Sequence, residues 1–410
     1  MRPRRQTRAP PGYFHDRAPL ILLPVGGLAA LYFWAVFFST FQYPGLIGID
    51  YVGVGTDYMV FDTAVGLARQ GDLSTLYDGD RFTALLNQSF QAYLHEALPF
   101  RPWIYPPSFL IVLLPFSLAG FYASYGLFEV LTAAALAGSL RIGASGRSRT
   151  WWASSAVLLC PAASVAVVSG QNSFLIAALL VAGAGFLDTR PMLAGVMFGL
   201  LAIKPQFFLL VPVVLLARRA WRASAAAVAM VLGMAGAAAA LFGSGIWTGW
   251  VTVFLDSTSS RDPRWFENGR AWGESIYTCA FWLGAGPGLA SALQWAAICL
   301  ACGCVWIAFR GSMALAPRTA VLLTASLLAA PHAGGYDLLL LVAASALFLS
   351  YLGQNAGRVD WWLGFFAWME PAFGLPAQNA IGRFSPVLTL ALLGRIFWRI
   401  GGGTPGSRFG

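Results

Sequence analysis

The feature that most restricts this chain is a set of long, uninterrupted apolar runs. Ala18 to Ser39, Ser224 to Phe242, Gly288 to Phe309 and Leu338 to Leu352 contain no charged side chain. Each is long enough, or nearly so, to cross a hydrocarbon core of about 30 Å as a helix. Inside a bilayer the backbone must satisfy its own hydrogen bonds, which leaves only helices or a closed barrel. A barrel requires alternation of apolar and polar residues, and these runs are continuous. Hydrophobic residues make up 58% of the chain and charged residues 10%, against roughly a quarter charged in soluble domains. The expected fold is therefore all-α and polytopic, a single integral membrane domain over residues 1–410.

Lys and Arg number 26 against 17 Asp and Glu, for a formal net charge of +9. In a soluble protein such an excess would raise nucleic-acid binding. Here the basic residues cluster at Arg2 to Arg8, Arg141 to Arg149, Arg218 to Arg222, Arg310 to Arg318 and Arg395 to Arg408, each beside an apolar run. That pattern marks the cytoplasmic face. No RNA-binding motif accompanies it, so no nucleic-acid partner is expected. The first run lacks a convincing cleavage site after its basic leader and reads as a retained helix rather than a signal peptide.

Placing the basic clusters inside gives about twelve crossings, at 18–39, 121–140, 152–168, 173–187, 191–203, 206–217, 222–242, 288–309, 318–330, 336–352, 359–373 and 385–400, with both termini cytoplasmic. The shorter runs need tilt, thinning or burial within the bundle. Ile104 to Ala119 is also hydrophobic, but a crossing there would put Arg141, Arg147 and Arg149 outside. A re-entrant or interfacial helix opening at Pro106 and Pro107 is expected instead. Two polar regions, 40–104 and 243–287, then face away from the cytoplasm, and loops of such length are usually functional. Cys299, Cys302 and Cys304 lie in an apolar run without a nearby His. They read as small packing residues rather than metal ligands, and no metal or other cofactor is expected.

Polar residues are scarce enough that each unusual one needs a reason. In "GTDYMVFD" Thr56 is a favourable N-cap, Asp57 follows in the first turn, and Val60, Phe61, Ala64, Val65 and Ala68 recur at helical spacing until Gly71. Asp57 and Asp62 then lie about 140° apart around the axis and cannot act as a dyad. Asp57 is a helix-capping carboxylate or a functional one. Lys204 in "AIKPQ" is costly in an apolar stretch and either marks a site or snorkels to the interface. His332 and Asp337 in "PHAGGYD", and Gln171 and Asn172 in "SGQNS", fall at helix breaks on the same side as Asp57. Trp247, Trp250, Trp265, Phe266 and Trp272 are either sugar-stacking or interfacial aromatics.

The segments "TDYMVFDTAVGLARQGDLSTLYD", "YPPSFLIVLLPFSL", "SGQNSFLIAALLVAG", "AGVMFGLLAIKPQ" and "PHAGGYDLLLL", in this order and spacing, resemble the family-87 glycosyltransferases. These are polyprenyl-phosphate-mannose-dependent mannosyltransferases of the C-type membrane glycosyltransferase (GT-C) superfamily. The likeness runs from about residue 50 to about residue 345. It implies the GT-C fold, a plasma-membrane enzyme with an extracytoplasmic active site, and partners comprising a polyprenyl-phosphate sugar donor, a lipid or glycan acceptor and membrane lipids. It also implies that Asp57 is the general base and that His332 and Lys204 stand at the donor phosphate. Tyr105, Gln171, Asn172, Tyr336 and Asp337 would line the donor and acceptor pocket. The expected reaction is a single inverting displacement, which needs one carboxylate base and a stabilised leaving phosphate.

Two other readings remain at this point. A transporter or lipid flippase would use intramembrane Lys, His and Asp to bind substrate or relay protons, but should hold them at the midplane with repeat symmetry. A ligase moving a whole glycan would call for more outer arginines than Arg101, Arg261, Arg264, Arg270 and Arg383.

Overall fold

A computed structural model describes residues 54–94, 96–143, 147–258, 273–374 and 384–401, together with parts of 26–35 and residue 264. The described residues are helical apart from turns, loops and one isolated antiparallel bridge between Gly273 and Gly334. In chain order the helices are α1 (Thr56–Gln70), α2 (Leu73–Leu76), α3 (Gly79–Phe90), α4 (Pro107–Leu113), α5 (Phe121–Gly143), α6 (Arg147–Leu158) and α7 (Pro161–Ser169). They continue with α8 (Ser173–Phe186), α9 (Pro191–Leu200), α10 (Pro205–Phe208), α11 (Val211–Ala217), α12 (Trp221–Phe242) and α13 (Gly245–Thr258). The last are α14 (Ile276–Trp282), α15 (Pro287–Arg310), α16 (Leu315–Ala329), α17 (Leu339–Leu352), α18 (Arg358–Gly374) and α19 (Ser385–Gly401).

Among the described residues four helical segments are long and apolar enough to cross a membrane: Phe121–Gly143, Trp221–Phe242, Pro287–Arg310 and Gly335–Asn355. Ser173–Phe186, Pro191–Ile203, Pro205–Ala217 and Leu315–Ala329 are apolar but shorter. The expected crossing at 18–39 lies largely outside the described residues. Near 152–168 the expected single helix is two pieces, α6 and α7, because Pro161 cannot continue a helix and instead starts the next. Pro205 similarly separates α9 from α10. The 104–119 segment holds only the seven-residue α4, with Pro107 in its first turn and a short 3-10 turn after Pro115. At 1.5 Å per residue α4 is about 10 Å long, far short of a bilayer core.

The bundle closes through small residues. On α9, a methyl added at Gly195 would lie 2.2 Å from the Ala223 carbonyl oxygen of α12, and one at Gly199 2.8 Å from that of Ala227. The four-residue spacing is matched on both helices, so their backbones approach at two successive turns. Such close contact drives helix association where lipid offers no hydrophobic gain. The segment Gly335–Asn355, which contains α17, is the most enclosed of the long apolar segments, and Asp337 sits in the 3-10 turn Gly335–Leu338 that leads into α17.

Candidate active site

The site begins with two glycines. Gly55 and Gly170 both adopt left-handed backbone, φ 74° and 75°, a conformation glycine takes at no steric cost. Gly55 is the N-cap of α1 and makes no side-chain cap bond; its N–H instead donates to the Val168 carbonyl at 2.6 Å. Gly170 ends α7, and a methyl there would lie 2.6 Å from Tyr58 Cβ. The start of α1 is thereby pinned to the end of α7, which sets Gln171 beside Asp57. This corrects the expectation that Thr56 caps α1, since Thr56 is already helical. Tyr58, buried behind Asp57, shares a 2.6 Å hydrogen bond with Ser124 of α5.

Asp57 does not cap its helix. One carboxylate oxygen accepts from Arg101 Nη1 at 2.7 Å, and the other from Gln171 Nε2 at 2.9 Å. The carboxylate is thus oriented by two side chains from distant segments, while 18% of the side chain stays exposed. Gln171 Oε1 in turn accepts from the Tyr105 hydroxyl at 3.1 Å. Tyr105 packs edge-to-face on Phe61 and tilted against Trp103 and Phe109, an aromatic group that fixes the segment leading into α4. Burial, then the Asp57 and Asp337 carboxylates, push its phenol above the usual range. It therefore acts as a hydrogen-bond donor at neutral pH.

A second ion pair stands across the loop. The end of α9 tightens into a 3-10 turn at Leu201–Ile203, and Lys204 leaves it in non-helical backbone before Pro205. Its ammonium lies 2.8 Å from Asp337 Oδ1, with only 4% and 1% of the two side chains exposed. Asp337 also accepts from Ser173 Oγ at 2.9 Å and from the Gly334 N–H at 3.1 Å. The Lys204 ammonium sits 5.2 Å from both the Phe207 and Tyr336 rings. Snorkelling is thus set aside for Lys204, since its charge is held inside the protein. Gln171 holds Asp57 and Ser173, two residues further on, holds Asp337, so one short segment joins the two ion pairs. Between Gln171 and Ser173, Asn172 is fully buried, and neither of its amide atoms has a partner among the described residues.

His332 is the most accessible of these residues. Its backbone carbonyl accepts from Gln206 Nε2 at 3.3 Å, and the neighbouring Ala333 carbonyl from the Glu274 N–H at 2.6 Å. Both the α10 side and the 243–287 region therefore hold its loop. Although the residue reaches solvent, the many protein atoms packed around the imidazole cost it hydration and lower its pKa. It is neutral at pH 7, a hydrogen-bonding group rather than a standing cation.

Asp62 lies elsewhere. It is half-buried, with its carboxyl pushed up by desolvation, and makes no contact with Asp57. Of the expected aromatics, Trp265, Phe266 and Trp272 fall outside the described residues. Trp247 and Trp250 donate their indole N–H groups to the carbonyls of Ala235 and Ile104, each at 3.1 Å, and so fasten α13 to the bundle. Among the described residues no three His, Cys, Asp or Glu side chains cluster as a metal site.

Sequence reasoning missed two members of this arrangement. Arg101 appeared only as one outer arginine among several, although its position shortly before "YPPSF" could have linked it to the site. Ser173 carried no signal beyond its place next to Gln171 and Asn172.

Compared with known protein families, the chain matches the model of Glycosyltransferase family 87 over residues 103–331. The matched segment contains Tyr105, Gln171, Asn172 and Lys204, and is flanked by Asp57 on one side and His332, Tyr336 and Asp337 on the other. No curated protein and no solved structure matches the chain. With more than half of its 410 residues matched, the protein belongs to glycosyltransferase family 87.

Proposed function

We propose that the protein transfers a sugar, mannose by the resemblance of its motifs, from a polyprenyl-phosphate donor to an extracytoplasmic lipid or glycan acceptor, with inversion. The observation that carries this reading is the Asp57 carboxylate, oriented by Arg101 and Gln171 yet still accessible, beside the enclosed Lys204–Asp337 pair. The acceptor hydroxyl gives its proton to Asp57 as its oxygen bonds to the anomeric carbon. The bond from that carbon to the phosphate oxygen breaks, and the electron pair leaves with the polyprenyl phosphate.

Charge stabilisation of the leaving group falls to Arg101 first. The charges of Asp57, Arg101, Lys204 and Asp337 balance in this state, and Lys204 is locked in its pair. Arg101 retains 26% exposure of its side chain. A phosphate drawing Arg101 from Asp57 would free the base when the donor arrives. Neutral His332 and Tyr105 add hydrogen bonds to the phosphate or the sugar. An apolar cleft of about 140 Å³ beside Lys204, lined by Pro106, Ile203, Pro205, Met234 and Trp250 among others, suits the first isoprene units of a lipid carrier. Family membership favours this enzyme over the transporter or flippase reading.

The test is Asp57→Asn in protein reconstituted with a polyprenyl-phosphate sugar and a membrane lipid extract. Asn keeps an acceptor for Arg101 but is no base. Turnover should fall by about 10²-fold or more with donor binding retained, since general-base loss typically costs that much. Asp62→Asn, away from the site, should stay within a few fold of the parent. Equal turnover in Asp57→Asn and parent removes Asp57 as the base.

A further inference from the structure

A second cavity, of about 690 Å³, opens between the α2–α3 corner and α13. One wall is Leu73, Ser74, Tyr77, Asp78 and Gly79. The other is Gly245, Thr248, Gly249 and Thr252, whose i, i+3, i+4, i+7 spacing places them on one face of α13. The indoles of Trp247 and Trp250 are directed to carbonyls on the bundle side. α13 therefore turns its small and hydroxylated residues to the cavity and its tryptophans to the protein.

We propose that this cavity holds a neutral, hydroxyl-rich glycan, the non-reacting part of the acceptor. The lining determines the ligand class. Thr248 and Thr252 spend their hydroxyl protons on the Gly245 and Thr248 carbonyls, and Ser74 on Asp72. Asp78 is acceptor-only, already taking the Asp80 and Arg81 N–H groups at 3.1 and 3.0 Å. The side-chain oxygens of Ser74, Asp78, Thr248 and Thr252 thus offer the cavity lone pairs awaiting O–H donors, beside the apolar surface of Leu73 and the Tyr77 ring. Two nearby cations are both paired with carboxylates: Arg81 lies 3.4 Å from Asp78, and Arg264 bonds to Asp80 while its guanidinium lies over Phe100. A sugar chain offers many O–H donors, whereas a phosphate offers only acceptors and charge. Tyr77 supplies an aromatic face for the apolar side of a pyranose. Its ring packs so closely on α13 that a methyl at Gly249 would lie 2.2 Å from it, so the ring is held rigidly as a wall.

Position supports the assignment. Gly79 is covered by Phe100 and Pro102, the two neighbours of Arg101, whose side chain grips Asp57. α13 is tied to Ile104, next to Tyr105. One short segment, 100–105, thus separates the glycan cavity from the base, and a bound acceptor could reach past it to present a hydroxyl to Asp57. The assignment rests on the reading of the protein as a transferase to a glycan or glycolipid.

The experiment is ligand-observed NMR on the full chain in lipid nanodiscs, without donor, using mannotriose, maltotriose and cellotriose, with mannose 6-phosphate as the charged control. Thr248→Trp and Ser74→Trp each fill the cavity from an exposed position on a different wall. At least one neutral trisaccharide should bind parent and Asp57→Asn alike, and both Trp variants should weaken it tenfold or more at unchanged thermal stability. Binding by none of the three, equal binding in parent and both Trp variants, or preference for mannose 6-phosphate would overturn the proposal. Because binding is read without donor, a parent that binds trisaccharide but transfers no sugar refutes the reaction assigned above while upholding the cavity as a glycan site.

Discussion

Replacing Lys204 by Met tests the enclosed ion pair more sharply than it tests binding. The ammonium lies 2.8 Å from Asp337 Oδ1 with almost no exposure on either side. At an effective dielectric constant near 20 the gross attraction at that separation is about 6 kcal/mol, much of it offset by desolvation. Removing one partner of such a pair usually costs about 3–5 kcal/mol, because the other charge is left stranded. Two donors, Ser173 Oγ and the Gly334 N–H, remain on Asp337 and bring the expected loss to the lower end, about 3 kcal/mol. Met keeps the length and apolar stem, so packing against Phe207 and Tyr336 is largely retained. The measurement is the free energy of SDS-induced unfolding in mixed micelles for the parent, Lys204→Met, Asp337→Asn and the double variant. Asn at 337 removes the stranded charge and keeps an oxygen acceptor, so the double variant should recover at least half of the single-variant loss. A Lys204→Met protein within about 1 kcal/mol of the parent, or a double variant worse than both singles, refutes the reasoning.

Other outcomes follow from particular contacts. Burial would raise the Asp188 pKa, but bonds from Arg318 at 2.7 Å and from Arg218 outweigh it and hold the carboxylate below its usual range. A depressed folded pKa contributes stability that is full above the unfolded value of about 3.9 and is lost as pH falls below it through the folded value. With 43% of the Asp188 side chain exposed the effect is screened to at most about 1 kcal/mol, and Asp188→Asn should flatten that part of an acid-unfolding curve. Gly195→Ala must separate α9 from α12, since its methyl would meet the Ala223 carbonyl oxygen at 2.2 Å. A loss of about 1–3 kcal/mol in the same SDS assay is expected. A cysteine at exposed Gln88 on α3 should react with an impermeant thiol reagent in intact spheroplasts. Protection until lysis would reverse the orientation and move the site to the other face.

The sequence by itself determined the helical membrane character and most helix limits. Apolar runs free of charge leave a backbone in lipid few options, and proline and glycine punctuate where runs end. α8, α12, α15 and α19 lie within a few residues of their expected positions. Gln171, Lys204 and Asp337 were legible as candidates because polar groups in such a chain are rare and costly. Pairing was not legible. Asp57 and Arg101 are 44 residues apart, Asp57 and Gln171 114, and Lys204 and Asp337 133. No local periodicity encodes which partner a charge will find across a bundle. Tertiary structure decided those contacts through the two left-handed glycines that join α1 to α7, and through the packing that sets Lys204, non-helical before Pro205, against Asp337. It also decided between readings the residues left open. Asp57 is held by side chains rather than capping its helix, and Lys204 is enclosed rather than snorkelling, because burial and hydrogen-bond geometry exist only once the chain has packed.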